Sequence, residues 1–346
     1  MQCDHLRRKG PARQVAVPDP PRPSPNPNAY QSNQRFTSQD PTMDQNATAV
    51  RNALINNLTV PAFNIPYPPM MEPVIRAVRD EDAFAFIAVA RIEWEKLGAI
   101  SPAVIAEEFR EYDDARHVSL HLDHVPVIDE DDLQVDWEPI FRQGIEHGYQ
   151  SLMIDGSRLD LEGNIEVTRR AVEIAHSAGL PCEAELGAVM GHEDGPQPPY
   201  EELFRTKMGF TDIEQARRFV TQTGCDWLSV AVGSIHGSVR GAGGGAEKVE
   251  ARLDLEHVER LQEATGVPLV LHGGSGINRD CVQGGIRRGI AKVNVASEIR
   301  RAYAGELESS GDEQAACELV YERTRSLLHD YFALTGTRRA IIGEGG

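Results

Sequence analysis

Short apolar or β-branched runs recur at regular intervals along the chain, and the segments between them follow a different period. The runs are TVPAFNI (59–65), AFAFIAVA (83–90), HVSLHLDH (117–124), SLMIDGS (151–157), PCEAELG (181–187), WLSVAVG (227–233), PLVLHGG (268–274) and IAKVNVAS (290–297). Each has the length of a strand and is mostly apolar, as expected for parallel strands covered on both faces. The intervening segments place apolar residues three and four apart. NIEVTRRAVEIAHSAG closes on Gly179. TDIEQARRFVTQTG opens on Thr211 and Asp212, with Glu214 three residues after Thr211 in a capping-box pattern. Repeated alternation of strand and helix predicts a parallel sheet, and eight repeats predict its closure into an α/β fold of the (β/α)8 TIM-barrel type.

A barrel of this kind needs about 250 residues, so a chain of 346 holds one with extensions. Residues 1–45 stand outside the alternation. Their run PDPPRPSPNPN is polar and Pro-rich, which predicts a disordered extension with little to bury. Residues 46–346 are expected to form the barrel and a C-terminal helical extension.

Charge narrows the partners. Lys and Arg total 35 against 53 Asp and Glu, a formal net charge of −18. That field disfavours nucleic acid or an anionic membrane surface as the main partner, but it leaves room for an anionic small molecule beside local cations. No apolar run approaches the ~20 residues of a membrane span. The N-terminal MQCDHLRRKGPARQ has no apolar segment behind its positive charges, so it does not read as a secretory signal. The five cysteines (Cys3, Cys182, Cys225, Cys281 and Cys317) are odd in number and widely spaced, which reads as reduced thiols. A cytoplasmic protein is the expectation, and the sequons at Asn46 and Asn57 then carry no meaning.

Active sites of such barrels lie at the C-terminal ends of the strands. There the sequence crowds polar groups: Asp123 and His124 after strand three, Asp155 after four, Glu183 and Glu185 on five, His236 after six, His272 after seven, and Asn294 and Ser297 after eight. One histidine at a strand end is usually structural. Three at equivalent ends, His124, His236 and His272, make a zinc site with an open position, and Glu185 is placed to be a further ligand. Asp123, next to His124, is either an acid/base or an orienter of a histidine. His147 and His176 fall in helical segments, while His257 and His329 read as surface positions.

HGGSG (272–276) places Gly273 and Ser275 in a glycine-rich turn before a helix, where backbone N–H groups can meet an anion. NVAS (294–297) follows strand eight in the same manner, and these are the two loops where many barrels bind phosphate. The stretch SVRGAGGGAEK (238–248) offers Arg240 and Lys248 to an anion, or is a plain connector.

HLDH, SLMIDGS, EAELG, GHED, TGCDWLSVAVGSIHG, PLVLHGGSG and KVNVASE, in this order, resemble the class II, zinc-dependent ketose-bisphosphate aldolases over roughly residues 45–335. The resemblance implies a lyase that cleaves a fructose or tagatose 1,6-bisphosphate-like ketose into dihydroxyacetone phosphate and an aldehyde. It implies that His124, His236 and His272 bind zinc, that Glu185 can also ligate it, and that Asp123 handles the proton of the C4 hydroxyl. Glu193 matches an acidic residue implicated in proton transfer at C3. Gly237, Gly273, Ser275, Asn294 and Ser297 match elements that hold the dihydroxyacetone-phosphate half and a monovalent cation, Na+ or K+. Asp155 is then a metal or cation ligand, or a partner of one. Arg300 matches an arginine that in some members reaches a neighbouring subunit's substrate, which implies a homodimer or homotetramer.

The sequence departs from the pattern at the end of strand two. A serine is usual there in a VS-x-G-A context, and this chain has Val89-Ala90-Arg91-Ile92-Glu93-Trp94. The loop after His236 also lacks the usual Tyr-Lys pattern. Two other readings therefore stay open: a metal-dependent aldolase or epimerase of a non-standard or unphosphorylated ketose, and a non-catalytic barrel subunit.

Overall fold

A computed structural model describes residues 45–112, 114–187, 200–234 and 251–344. Eight parallel strands form a closed barrel in sequential order. They are β1 (Val60–Asn64), β2 (Ala85–Ala90), β3 (Val118–Pro126), β4 (Leu152–Asp155), β5 (Cys182–Leu186), β6 (Trp227–Val230), β7 (Leu269–Leu271) and β8 (Ile290–Val295). β1 closes the ring by pairing with both β2 and β8. Every strand residue but Asp155 and His124 is buried, which accounts for the continuous apolar runs.

Helices between the strands start and stop on the chemistry the sequence offers. Asp160, Asp212 and Asp254 each accept a backbone N–H at a helix start, and Gly224 and Gly266 end two helices in the left-handed conformation. Thr211 is not the cap of Ile213–Thr223. Its buried hydroxyl instead donates to Leu186 O at 2.5 Å and accepts from Ala231 N at 2.9 Å, tying the end of β5 to the segment after β6. His257 is likewise not a surface residue. The face of Leu255–Thr265 that carries it packs inward, and its Nε2 meets Thr211 O at 2.8 Å.

The helix Gln45–Ile55 packs under the N-terminal end of the barrel. Asn46 is fully buried there: it donates to Ser151 Oγ at 2.8 Å and accepts from Ser119 Oγ at 2.5 Å. A side chain so enclosed cannot be a glycosylation acceptor. After β8, the helices Ser297–Ser310 and Glu313–Ser326 fold back on each other, and the second packs against Met71–Asp80.

The barrel interior is layered. Phe86 and Trp227 stack at 5.8 Å between centroids, with His121 tilted against both. Period-two alternation then carries the inward positions upward from this layer. His121 leads to Asp123, Glu183 to Glu185, and Lys292 to Asn294. Most barrels fill this space with branched apolar side chains. Here a charged layer lies between the aromatic floor and the rim.

Candidate metal and acid-base centre

His124 and Asp123 are chain neighbours, yet both border the same space. The cause is local. His124 takes a left-handed φ of 36°, and the β3–β4 register shifts between Leu122 and Val125. The strand therefore does not end at this pair, since it continues to Pro126. The bulge re-aims one side chain so that two successive residues face the rim.

His124 Nε2 lies 2.6 Å from Nδ1 of His272, which directly follows β7. His124 Nδ1 lies 3.2 Å from Asp155 Oδ2 and 4.0 Å from Glu185 Oε2. Ligand atoms of Asp123, His124 and His272 fall within 4.8 Å of one another, as do those of His124, Asp155 and Glu185. This donor set suits zinc: two imidazoles and carboxylates converging at a rim where His124 keeps a quarter of its side chain exposed. The facing nitrogens stand closer than the roughly 3.3 Å expected between two nitrogens on one tetrahedral zinc. A small opening of the pair is therefore needed.

The carboxylates around His124 favour positive charge at this corner of the rim. Burial works against a charged His124, but Asp123, Asp155 and Glu185 outweigh it and raise its pKa to about 10. Burial and the neighbouring Asp155 push Glu185 up to about 8. Asp155 is opposed by burial but is held down to about 2 by His124 and by the N–H and hydroxyl of Ser157.

Asp123 is 1% exposed and each carboxylate oxygen holds one amide. Asn64 Nδ2 donates to Oδ2 and Asn294 Nδ2 to Oδ1, both at 2.9 Å. Burial alone would raise its pKa. His124, His121, Lys292 and His272 overcome that and hold the carboxyl well below its ordinary range. It is thus an ionised acceptor with remaining lone pairs.

Below it, Lys292 Nζ is 2.7 Å from Asn294 Oδ1 and 2.8 Å from Glu183 Oε2, and Glu183 Oε1 is 3.0 Å from His272 Nε2. Lys292 and Glu183 are fully buried. Removing one partner of such a pair typically costs roughly 3–5 kcal/mol.

Beside Asp123, Glu93 is 4% exposed. Its Oε2 accepts the Ala90 N–H at 2.8 Å and Asn64 Nδ2 at 3.4 Å. Burial raises its pKa to about 8, aided by Asp123 and opposed by the Ala90 and Asn64 bonds and by Arg300.

The structure thus brings Asp123, His124, Asp155, Glu185, His272 and Asn294 together. Gly273, with a left-handed φ of 69°, opens the turn Gly274–Gly276 that contains Ser275. Ser297 begins the helix after β8, and Arg300 lies one turn along it, where its charge reaches Glu93. Glu193, His236, Gly237, Arg240 and Lys248 lie outside the described residues. Sequence reasoning gave no role to Asn64, His121, Glu183 or Lys292. The signal for three of them was present as i, i+2 spacing from Asp123, Glu185 and Asn294 on the inward face of a strand.

A buried carboxylate beside converging imidazoles at the rim of a (β/α)8 barrel suits metal-assisted enzyme chemistry. The model of the family described as fructose-bisphosphate aldolase class-II matches residues 44–337, and the chain belongs to that family of aldolases. It is 33% identical over 279 residues to the fructose-bisphosphate aldolase of Streptococcus pneumoniae, covering 80% of this chain and 86% of that one. It is 41% identical over 167 residues to YdjI of Escherichia coli, which is 48% of this chain and 55% of YdjI. The crystal structure of the YdjI aldolase superposes with a TM-score of 0.66 at 27% identity, covering 84% of this chain and 98% of that one.

Proposed function

We propose that the protein catalyses the reversible retro-aldol cleavage of a phosphorylated ketose between C3 and C4, giving dihydroxyacetone phosphate and an aldehyde. The observation that carries this reading is the buried Asp123, whose two oxygens each accept from an amide beside the His124–His272 pair. His124, His272 and His236 would hold zinc, with Glu185 and Asp155 as the neighbouring carboxylates. When bound, the metal supplies a Lewis acid for the ketone oxygen at C2. Asp123 accepts the proton of the C4 hydroxyl, so the C4 oxygen forms a carbonyl as the C3–C4 bond breaks. The bonding pair passes to C3, and a proton returned there completes the ketone fragment; Glu193 is read as the group that handles it. The turn at Gly273 and Ser275 and the start of the helix at Ser297 are read as the phosphate cradle, with a monovalent cation nearby.

One observation favours a substrate other than a hexose bisphosphate. At the end of β2 the Ala90 N–H is already taken by Glu93, at a position where aldolases of the resembled pattern carry serine. Glu93 crowds that part of the rim and offers no cation to a second phosphate. Arg91, next to it, is engaged by Asp129 at 3.1 Å.

The test is incubation of the zinc-loaded protein with ketose 1-phosphates and ketose 1,6-bisphosphates, with enzymatic detection of triose phosphate. Release of dihydroxyacetone phosphate from at least one 1-phosphate is expected. No release from any phosphorylated ketose, with metal bound and the fold intact, removes the reading.

A further inference from the structure

A fully buried lysine inside a barrel needs a reason, because its ammonium loses water that only well-placed acceptors can replace. Lys292 has one such acceptor and one ion-pair partner. Its Nζ is 2.7 Å from Asn294 Oδ1 and 2.8 Å from Glu183 Oε2. Each of them leads to a different part of the site.

We propose that Lys292 is a positioning residue that fixes the ring tautomer of His272 through Glu183 and the amide orientation of Asn294 against Asp123. The argument is one of donors and acceptors. An ammonium group can only donate, so Asn294 must turn its oxygen toward Lys292. Its NH2 group then has to face Asp123, where Nδ2 is 2.9 Å from Oδ1. Flipped, the same amide would set an oxygen against a carboxylate.

On the other branch, Glu183 is ion-paired to Lys292 through Oε2 and leaves the other oxygen, Oε1, 3.0 Å from His272 Nε2. A carboxylate cannot donate, so Nε2 carries the proton and Nδ1 keeps its lone pair. That lone pair faces His124 Nε2 at 2.6 Å, the side on which a metal would be held. A carboxylate behind an imidazole is a common way to set a ligand tautomer. Here one lysine governs both the ligand and the base. Exposure of 0% for Lys292 and Glu183, 1% for His272 and Asp123, and 7% for Asn294 leaves little room for water to take over these roles.

His121, Asp123 and Glu183 also converge as three groups suited to a second cation. His121 Nε2 sits 3.6 Å from both carboxylates. The Lys292 ammonium already supplies positive charge to Glu183 and Asp123, so no second ion is required.

The inference rests on the reading of His124 and His272 as metal ligands, and its test reads zinc affinity as well as turnover. Glu183→Gln, Lys292→Met and the double variant are purified, checked for cooperative melting, and titrated with zinc against a chelating dye. In Glu183→Gln the lysine draws the amide oxygen to itself and turns NH2 toward His272, which forces the wrong tautomer. Zinc affinity is expected to fall about 10–100-fold. In the double variant the amide is free to turn its oxygen to His272, and affinity is expected to return to within about threefold of wild type. Turnover stays low in the double variant and in Lys292→Met, by about tenfold or more in kcat with KM changed by less than about threefold, because Asn294 has lost its anchor.

A double variant that binds zinc no better than Glu183→Gln overturns the proposal. So does wild-type kcat in Lys292→Met, which remains decisive if Glu183→Gln fails to fold. Wild-type protein with no zinc affinity removes the ligand reading together with this one, whereas normal wild-type affinity without rescue removes this one alone.

Discussion

His124 Nε2 and His272 Nδ1 face each other at 2.6 Å, although 148 positions separate them in the chain. The closed barrel brings these two strand ends together, and the carboxylates around them favour the charged form of His124. Those carboxylates are Asp123, Asp155 and Glu185. Dialysis against a strong chelator is therefore expected to abolish cleavage, and zinc should restore it. His272→Ala should lower bound zinc, measured by mass spectrometry of the purified protein, to well below one equivalent. Full zinc content in His272→Ala would dismiss the ligand assignment.

Asp123 offers a separate test, because it is held by Asn64 and Asn294 rather than by the facing histidines. Asp123→Ala is expected to reduce kcat by about 100-fold or more, with zinc content and the melting profile close to wild type. Steady-state kinetics and metal analysis on one preparation check this. Unchanged kcat removes the acid-base role.

Glu93 makes stability depend on pH in a direction opposite to the usual carboxylate. Its pKa is raised from 4.5 to about 8, chiefly by burial. The folded protein thus holds a proton that the unfolded chain releases near its ordinary pKa. This contribution is fully present below about pH 4.5 and is lost as pH rises to 8. Glu93→Gln mimics the protonated form, so its melting temperature should gain on wild type as pH rises from 5 to 8 in metal-loaded protein. Parallel curves for the two proteins across that window would show that Glu93 is ionised at no cost.

Asn46 ties the first described helix to the bottom of the barrel through Ser119 and Ser151. Asn46→Ala leaves both hydroxyls buried without that partner, at a cost of roughly 1–3 kcal/mol. The expected result is a lower melting temperature with unchanged KM, since the substitution lies at the end of the barrel opposite the rim. A wild-type melting temperature would mean that the hydroxyls find other partners.

The barrel was legible because each strand is covered on both faces and so writes a continuous apolar run, broken by glycine and by helical spacing. The rim was legible for the same reason. Asp123, His124, Asp155, Glu185 and His272 interrupt or end those runs where a buried polar side chain needs a purpose. Lys292 and Glu183 were not assigned, because each reads as a lone charge within a strand and only the closed ring sets one against the other. Thr211 and His257 misled because local pattern favoured a cap and a solvent face. In the fold the His257 ring meets the Thr211 carbonyl, and the Thr211 hydroxyl bridges Leu186 O and Ala231 N. Glu93 was visible as a bulky replacement at the end of β2, but its bond to the Ala90 N–H depends on a helical turn that the six residues alone do not specify.

The most direct measurement separates the metal from the base: solvent hydrogen exchange at C3 of dihydroxyacetone phosphate, followed by NMR in D2O without aldehyde. Zinc-loaded wild type should exchange that hydrogen, and chelated protein should not. Asp123→Ala should still exchange it while failing to cleave any ketose phosphate. Loss of exchange together with cleavage in Asp123→Ala, or exchange that survives complete removal of metal, would contradict the division of labour between Asp123 and the histidine pair.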